Sequence, residues 1–246
     1  MRLAIWANGR DSERRQPVMR AAIYKKFRWS AWIALTWLGL GPGGSLGHAG
    51  DLIVAIADRA GKPVPEVAIT AAALAPRPGA RAPMPEPAIM DQRNLAFVPQ
   101  LLVVGVGAEV QFPNNDSVSH QVYSFSPAKR FQLPLYKGAQ HRPVNFDKAG
   151  LVVLGCNIHD QMVGYIYVTD AGYYGKSDAQ GILHLSNLPA GDYTLTWWSP
   201  YVADAPEKMT RTIHVAEHEP VNIQVHLNRE LRARPEPGAR QTDWSY

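Results

Sequence analysis

A single cysteine, Cys156, in a chain of 246 residues excludes a disulfide scaffold, because one thiol has no partner within the chain. Charge is sparse as well, at 19% of residues. The hydrophobic fraction of 46% is too high for a disordered chain, and the composition is not that of collagen. No convincing 3.6-residue apolar period runs through the body of the chain, which argues against a helical protein. Turn chemistry is what the sequence has in excess. Its 20 Gly and 20 Pro, about 16% together against a usual ~12%, lean toward a loop-rich β protein. The length allows one large domain or two small ones, either able to bury a core.

A formal net charge of +4 would suit a nucleic-acid binder only if the basic residues lay on the folded body. They lie mostly at the front. Residues 1–30 hold eight Arg or Lys against Asp11 and Glu13, and residues 31–49 add no charge. Taking those from the totals leaves 17 basic and 19 acidic residues, a net of −2 beyond the leader. The body therefore offers no electrostatic case for binding a phosphate backbone.

The leader runs from Lys25-Lys26-Phe27-Arg28 through an apolar stretch, Trp29 to Leu40, into a Gly-rich segment ending at Gly47-His48-Ala49. Basic, apolar, then small is the order of a secretory signal, and about 12 apolar residues are too few to span a bilayer core of ~30 Å. Cleavage is expected after Ala49. The long polar stretch before the basic cluster points to Met19, rather than Met1, as the start of translation. A periplasmic, oxidising destination follows, with no transmembrane segment in the mature chain. There a lone thiol is buried and inert, paired with another molecule, or protected by a metal.

Beyond the leader, Leu52 to Asp58 and Val67 to Ile69 read as strands joined by the turn Asp58-Arg59-Ala60-Gly61-Lys62-Pro63. Residues 75–88 hold five prolines and read as a semi-extended linker. From Asn94 short β-rich runs return at regular spacing: 95–98, 101–104, 108–112, 120–125, 144–146, 151–154 and 163–168. Gly105, Gly107, the Asn114-Asn115-Asp116 cluster, Pro127, Gly138 and Gly150 punctuate them. This is the pattern of a β-sandwich or barrel. After Asp170 the spacing changes, with a turn at Ser177 to Gly181, strands at 182–185, 194–198, 211–215 and 221–227, and a loose charged tail from 229.

The chemistry concentrates in Cys156-Asn157-Ile158-His159-Asp160-Gln161-Met162, between the runs at 151–154 and 163–168. One short loop thus carries a thiolate, an imidazole and a thioether. A soft S, N, S set suits copper, for which two His and one Cys in a trigonal plane, with a weak axial Met, is the electron-transfer geometry. The missing imidazole should be remote in sequence, because the loop cannot fold back to fill the last position. His120 is the candidate, placed at the opening of the strand Gln121-Val122-Tyr123. His141 sits in a polar turn, and His184, His214, His218 and His226 belong to the later segment.

Two resemblances cover most of the chain. Residues 52–70 with 175–227 resemble the carboxypeptidase regulatory-like, transthyretin-like sandwich through Asp58-x-x-Gly61-x-Pro63-Val64, Asp178-x-x-Gly181 and Leu188-Pro189-x-Gly191-x-Tyr193. Residues 95–168 resemble a cupredoxin of the plastocyanin and amicyanin type: Phe97-Val98-Pro99, Val110 to Asn114, His120, Gly150 and Cys156-x2-His159-x2-Met162-x-Gly164. The wider order, with Met90-Asp91-Gln92 and Tyr123-Ser124-Phe125-Ser126-Pro127, is similar to exported methylamine utilisation proteins.

The resemblance implies one copper ion held by His120, Cys156 and His159, with Met162 axial. It also implies redox partners such as a c-type cytochrome or a dehydrogenase. The sequence departs from plastocyanin and amicyanin at Gln121, where they carry the Asn that ties the two ligand-bearing segments together. The expected architecture is all-β: a leader and signal (1–49), first strands of the regulatory-like sandwich (50–74), linker (75–88), a cupredoxin Greek-key sandwich (89–170) inserted in or packed beside the remainder of the first (171–228), and a tail (229–246).

Other readings fit less well. An enzyme with Cys156 as nucleophile and His159 as base lacks an evident third group. A thioether is a poor ligand for structural zinc. A non-redox module binding a glycan or protein through Tyr173, Tyr174, Trp197, Trp198 and Tyr201 competes with a plainer role for these rings, filling the contact between the two modules. N-terminal sequencing of the exported protein is expected to begin at Gly50. Recovery from cells of a peptide spanning Arg2 to Val18 would overturn a start at Met19.

Overall fold

The structure, a computed structural model, describes residues 49–75, 87–138, 142–202, 209–217, 219–227 and 231. The signal-peptide reading, most of the Pro-rich linker and nearly all of the tail lie outside the described residues, as do His141 and His218. Among the described residues every regular element is a strand. The chain is all-β, as its turn-rich, period-2 sequence predicts.

The strands follow from alternation. In β1 (Ala49–Asp58) Leu52, Val54 and Ile56 are buried while Ile53, Ala55 and Ala57 are half-exposed, so that one face of the pleat meets a core. β2 (Ala68–Ala73) is followed by β3 (Ala88–Ile89), β4 (Asp91–Arg93), β5 (Ala96–Val98), β6 (Leu101–Gly105), β7 (Ala108–Gln111), β8 (Tyr123–Ser126), β9 (Lys129–Gln132) and β10 (Val144–Phe146). Then come β11 (Gly150–Gly155), β12 (Val163–Thr169), β13 (Tyr173–Lys176), β14 (Ile182–Pro189), β15 (Gly191–Trp198), β16 (Thr210–Val215) and β17 (Val221–Leu227). Two corrections to the sequence reading arise here. The strand expected to open at His120 begins only at Tyr123, and Ala88, read as the end of the linker, already pairs in β3.

Buried side chains gather into two clusters. One draws on residues 52–71 and 185–227, enclosed by the sheets β14-β1-β17 and β13-β2-β15-β16. The other draws on residues 90–168, between β10-β7-β3 and β6-β12-β11-β8-β9, with the hairpin β4-β5 beside it. Each fully buried aliphatic side chain contributes about 1.5–3 kcal/mol. The segment with the second core leaves after β2 and returns as β13, and these two strands pair antiparallel, with Tyr173 opposite Ala71.

Contacts between the clusters use the aromatic residues of the later segment. Trp198 stacks on Tyr167 at 5.9 Å between ring centroids and meets Tyr165 edge-on at 5.7 Å. The Tyr201 hydroxyl donates to Gln100 Oε1. Lys176 Nζ donates both to Glu66 Oε1 at 2.7 Å and to the Leu101 carbonyl at 3.1 Å, tying β13 to β6.

The Asp-x-x-Gly pattern occurs twice and folds the same way both times. Asp58 Oδ1 accepts from the amides of Ala60 and Lys62, and Asp178 Oδ1 from those of Gln180 and Ile182. The glycines that complete these turns are left-handed, with φ of 79° at Gly61 and 73° at Gly181. Their surroundings differ. A Cβ on Gly61 would meet nothing within 4 Å, whereas one on Gly181 would lie 2.5 Å from the Ile56 carbonyl oxygen. Gly61→Ala is therefore expected to cost only the left-handed backbone penalty of about 1–2 kcal/mol. Gly181→Ala should cost clearly more, because a backbone oxygen cannot yield cheaply. Equal losses in urea unfolding free energy would refute the distinction.

Candidate metal centre

Three segments, the last two contiguous in sequence, meet at one end of the second core. The first carries His120, wholly buried, which forms an isolated antiparallel bridge with Tyr136: each amide donates to the other's carbonyl at 2.9 Å. The bridge is held by Asn114, whose Nδ2 donates to the carbonyls of Tyr136 at 2.8 Å and Val118 at 3.0 Å. The second segment is the end of β11, where Cys156 is 2% exposed. The third is the turn that follows, in which the Met162 amide donates to the His159 carbonyl at 2.9 Å. That bond curls 156–162 so that His159 faces back toward the cysteine.

Two imidazole nitrogens and a sulfur result, all facing one another. His120 Nδ1 and His159 Nδ1 are 3.1 Å apart, and Cys156 Sγ is 3.7 Å from each. These are the only His, Cys, Asp or Glu side chains gathered in this way among the described residues. With sides of 3.1, 3.7 and 3.7 Å, the triangle has a centre roughly 2 Å from all three atoms, close to the ~2.0 Å and ~2.3 Å of metal–imidazole and metal–thiolate bonds. The donor set fits one metal ion without rearrangement.

His120 Nε2 lies 2.9 Å from Asp116 Oδ2. A carboxylate accepts only, so the proton sits on Nε2 and the Nδ1 lone pair is left facing the sulfur. Burial would push the Asp116 carboxyl up. The Leu95 amide, the His120 ring and the Ser117 amide outweigh it and hold the group at about 2. His159 is only partly buried, and its imidazole is shifted below the ordinary range, first by desolvation and then by the neighbouring His120. Both effects favour a neutral ring with a free lone pair.

Below the centre the side chain of Tyr136 is buried, its hydroxyl donating to the Phe112 carbonyl at 2.6 Å and accepting from Gln92 Nε2. Desolvation, opposed by the Gln92 bond and aided by the charges of Asp91 and Cys156, pushes this phenol up to about 12. It stays neutral at any physiological pH.

Of the residues singled out from sequence, His120, Cys156 and His159 are brought together. Met162, 1% exposed, packs in the same core cluster as Cys156. His184, His214 and His226 are exposed in the other unit, with His214 paired to Asp192 at 2.8 Å. Sequence reading missed Asp116, which it took only as turn punctuation. The one available signal was its position four residues before His120. Asn114 was missed in the same way. It makes a bond across to the Tyr136 carbonyl, and no hydrogen bond from the Gln121 side chain is found among the described residues.

No protein-family model matches the chain, and no curated protein is similar to it. Solved structures do align. A purple cupredoxin from Nitrosopumilus maritimus is 25% identical over 34% of this chain and 100% of its own, with a TM-score of 0.30. A reduced amicyanin variant is 25% identical over 33% of this chain and 80% of its own, with a TM-score of 0.30. A copper-containing nitrite reductase from Thermus scotoductus is 28% identical over 38% of this chain, which spans only 24% of that enzyme, with a TM-score of 0.33.

Because Cys156 is buried and is the only thiol, the folded, metal-free protein is expected to react with a disulfide reagent only through local opening. An opening free energy of about 3 kcal/mol would slow it by about 100-fold relative to the unfolded chain. One equivalent should react in denaturant, and rapid labelling of the native protein would contradict the burial.

Proposed function

We propose that this chain is an exported type 1 copper protein that carries single electrons between periplasmic redox partners and is not an enzyme. The observation that carries the reading is the triangle of two imidazole nitrogens and one cysteine sulfur, sized for a single ion. Copper held there would supply a one-electron couple in which no bond to substrate forms or breaks. Two His and one Cys suit both of its oxidation states, and the thioether of Met162 would be the weak axial ligand favouring the reduced one. The burial of His120 and Cys156, with the Asp116 contact behind His120, limits how far the donors can move. Little movement is what fast electron exchange requires.

The readings set aside from sequence gain nothing from this geometry. A nucleophile with its base needs one imidazole, whereas Cys156 faces two. A closed zinc site would add a fourth His, Cys or carboxylate, and none joins the three among the described residues. Of the aromatic residues that a binding module would use, Trp198 and Tyr201 are engaged with Tyr165, Tyr167 and Gln100. The regulatory-like sandwich is then scaffold. Participation of the protein in methylamine metabolism, with a c-type cytochrome or a dehydrogenase as its partner, is what the resemblance to exported methylamine utilisation proteins implies.

His159 is the ligand nearest solvent, and exposed apolar side chains flank the centre: Leu135 at 58%, Ile158 at 52% and Val118 at 39% exposure. With Pro134 and Val163 they form the patch on which a partner would dock against the His159 ring edge. Small, weakly held interfaces of this kind suit electron exchange, which needs rapid release.

The deciding experiment is to express residues 50–246, add one equivalent of Cu(II), and record visible absorption and EPR. An intense blue or green thiolate band that vanishes on reduction is expected. A colourless protein with a freely titratable Cys156 would overturn the proposal. Cys156→Ser should abolish the band, whereas Met162→Leu should keep it and raise the reduction potential. Asp116→Ala, which frees the His120 ring, should weaken metal binding by about 10- to 100-fold in a chelator competition. An unchanged affinity would show that the carboxylate does not position the ligand.

A further inference from the structure

The hairpin of β4 and β5 belongs to neither sheet around the second core, yet it sends two side chains into the interior. Gln92 is wholly buried and Phe97 nearly so. The two residues stand directly opposite each other in the antiparallel register, so their side chains leave the same face of the hairpin. They then go to different places. Gln92 Nε2 donates to the Tyr136 hydroxyl and, at 3.0 Å, to the Pro113 carbonyl. Tyr136 is the residue whose backbone is bridged to His120, so a grip on its ring fixes the segment from which that imidazole projects. Phe97 lies on Gly164 so closely that a Cβ there would be 2.9 Å from the Cβ, Cγ and Cδ2 of the phenylalanine. Gly164 follows Met162 by two residues, in β12, where the ligand loop re-enters the sheet.

This arrangement is held at a local cost. The side-chain oxygen of Gln92 is buried and has no hydrogen-bond partner among the described residues, a penalty that an apolar side chain of similar shape would avoid. The hairpin turn puts two residues with side chains, Asn94 and Leu95, at φ of 52° and 58°, and leucine is rarely left-handed. That turn aims the Leu95 amide at Asp116. The first strand is pinned to the same loop: both Asp91 oxygens accept from Asn115 Nδ2 at 3.0 Å, and the Gln92 carbonyl accepts from the Asn115 amide at 3.1 Å. Unfavourable local choices that converge on one set of contacts point to a role for those contacts.

We propose that Gln92 and Phe97 are positioning residues that act together as one tie between the two segments carrying the metal donors. Gln92 acts on His120 through Tyr136, and Phe97 acts on the loop 156–162 through Gly164. What the tie is for rests on the copper reading above, whereas the tie itself belongs to the metal-free chain. It limits how far His120 can move from Cys156 and His159, which are held on the other segment.

Hydrogen exchange on the metal-free mature chain tests the tie. Gln92→Met keeps the side-chain length and removes the donor, and should speed exchange of the His120 and Tyr136 amides by about tenfold or more. Phe97→Leu should do the same for the Met162 amide, which bonds the His159 carbonyl. A tie transmits, so each variant should also speed exchange at the other end by about threefold, while the amides of β1 stay unchanged. Tyr136→Phe keeps the ring and loses the hydroxyl; it should reproduce Gln92→Met, and the two combined should add nothing further. With copper added, Gln92→Met and Phe97→Leu should each lower Cu(II) affinity by about 10- to 100-fold in a chelator competition. Each should also change the EPR hyperfine splitting, which a general loss of stability would leave alone.

Exchange that rises only at the end each residue touches, or at neither end, would overturn the tie while leaving the copper site intact. An unaltered chain that develops no thiolate band with Cu(II) would overturn the copper reading and, with it, the tie as part of a copper site, and is distinguished by that missing colour.

Discussion

His120 has no exposed surface, yet both of its ring nitrogens are committed, and the rest of the centre depends on how. Nε2 is fixed by Asp116, and Nδ1 is thereby turned toward Cys156 and His159. An imidazole buried without partners would cost several kcal/mol. A contact to an ionised carboxylate returns about 1.5–3 kcal/mol and removes the choice of tautomer. Asp116 is itself anchored by the Leu95 amide at 2.7 Å, from the hairpin of β4 and β5. A bend at one edge of the fold thus sets the direction of a lone pair at the centre. Asn114 does the same for the backbone, joining the loop at 118 to the segment at 136.

The second constraint is topological. The segment with the metal centre begins and ends on neighbouring antiparallel strands, β2 and β13, so that a hundred-residue excursion closes without disturbing the sheet it leaves. The two cores are nevertheless locked together by Trp198 on Tyr165 and Tyr167, by Lys176 reaching the Leu101 carbonyl, and by Tyr201 on Gln100. Each of these lands on β12, β6 or the residue before it. Strand β12 is also the strand that follows Met162. The scaffold therefore braces the exit of the ligand loop, and a centre that moves little is easier to maintain when both ends of that loop are built into sheet.

Much of this was legible in the residues. Alternation at 52–56 and the excess of glycine and proline predicted strands, and the two Asp-x-x-Gly turns fold as their chemistry demands. The spacing Cys156-x2-His159-x2-Met162 marked the loop, and His120 followed from the residue types it lacked. Other features were not legible. Residues 120–122 look like the start of a strand because Val122 is apolar and buried, but their hydrogen bonds go to the loop at 133–136 rather than to a sheet. Asp116 reads as turn punctuation because a carboxylate after two asparagines is a common turn. Only its distance to Nε2 shows that it orients a ligand.

The sequence by itself determined the all-β class, the turns and the kinds of donor atom available, because alternation, backbone preference and side-chain chemistry are local properties of neighbouring residues. The tertiary structure alone decided that two imidazoles and one sulfur stand 3.1 and 3.7 Å apart, and that a carboxylate fixes one of them. The two distances to His120 are set by pairings between residues tens of positions apart. No local preference encodes them, and only burial of the common core brings them about.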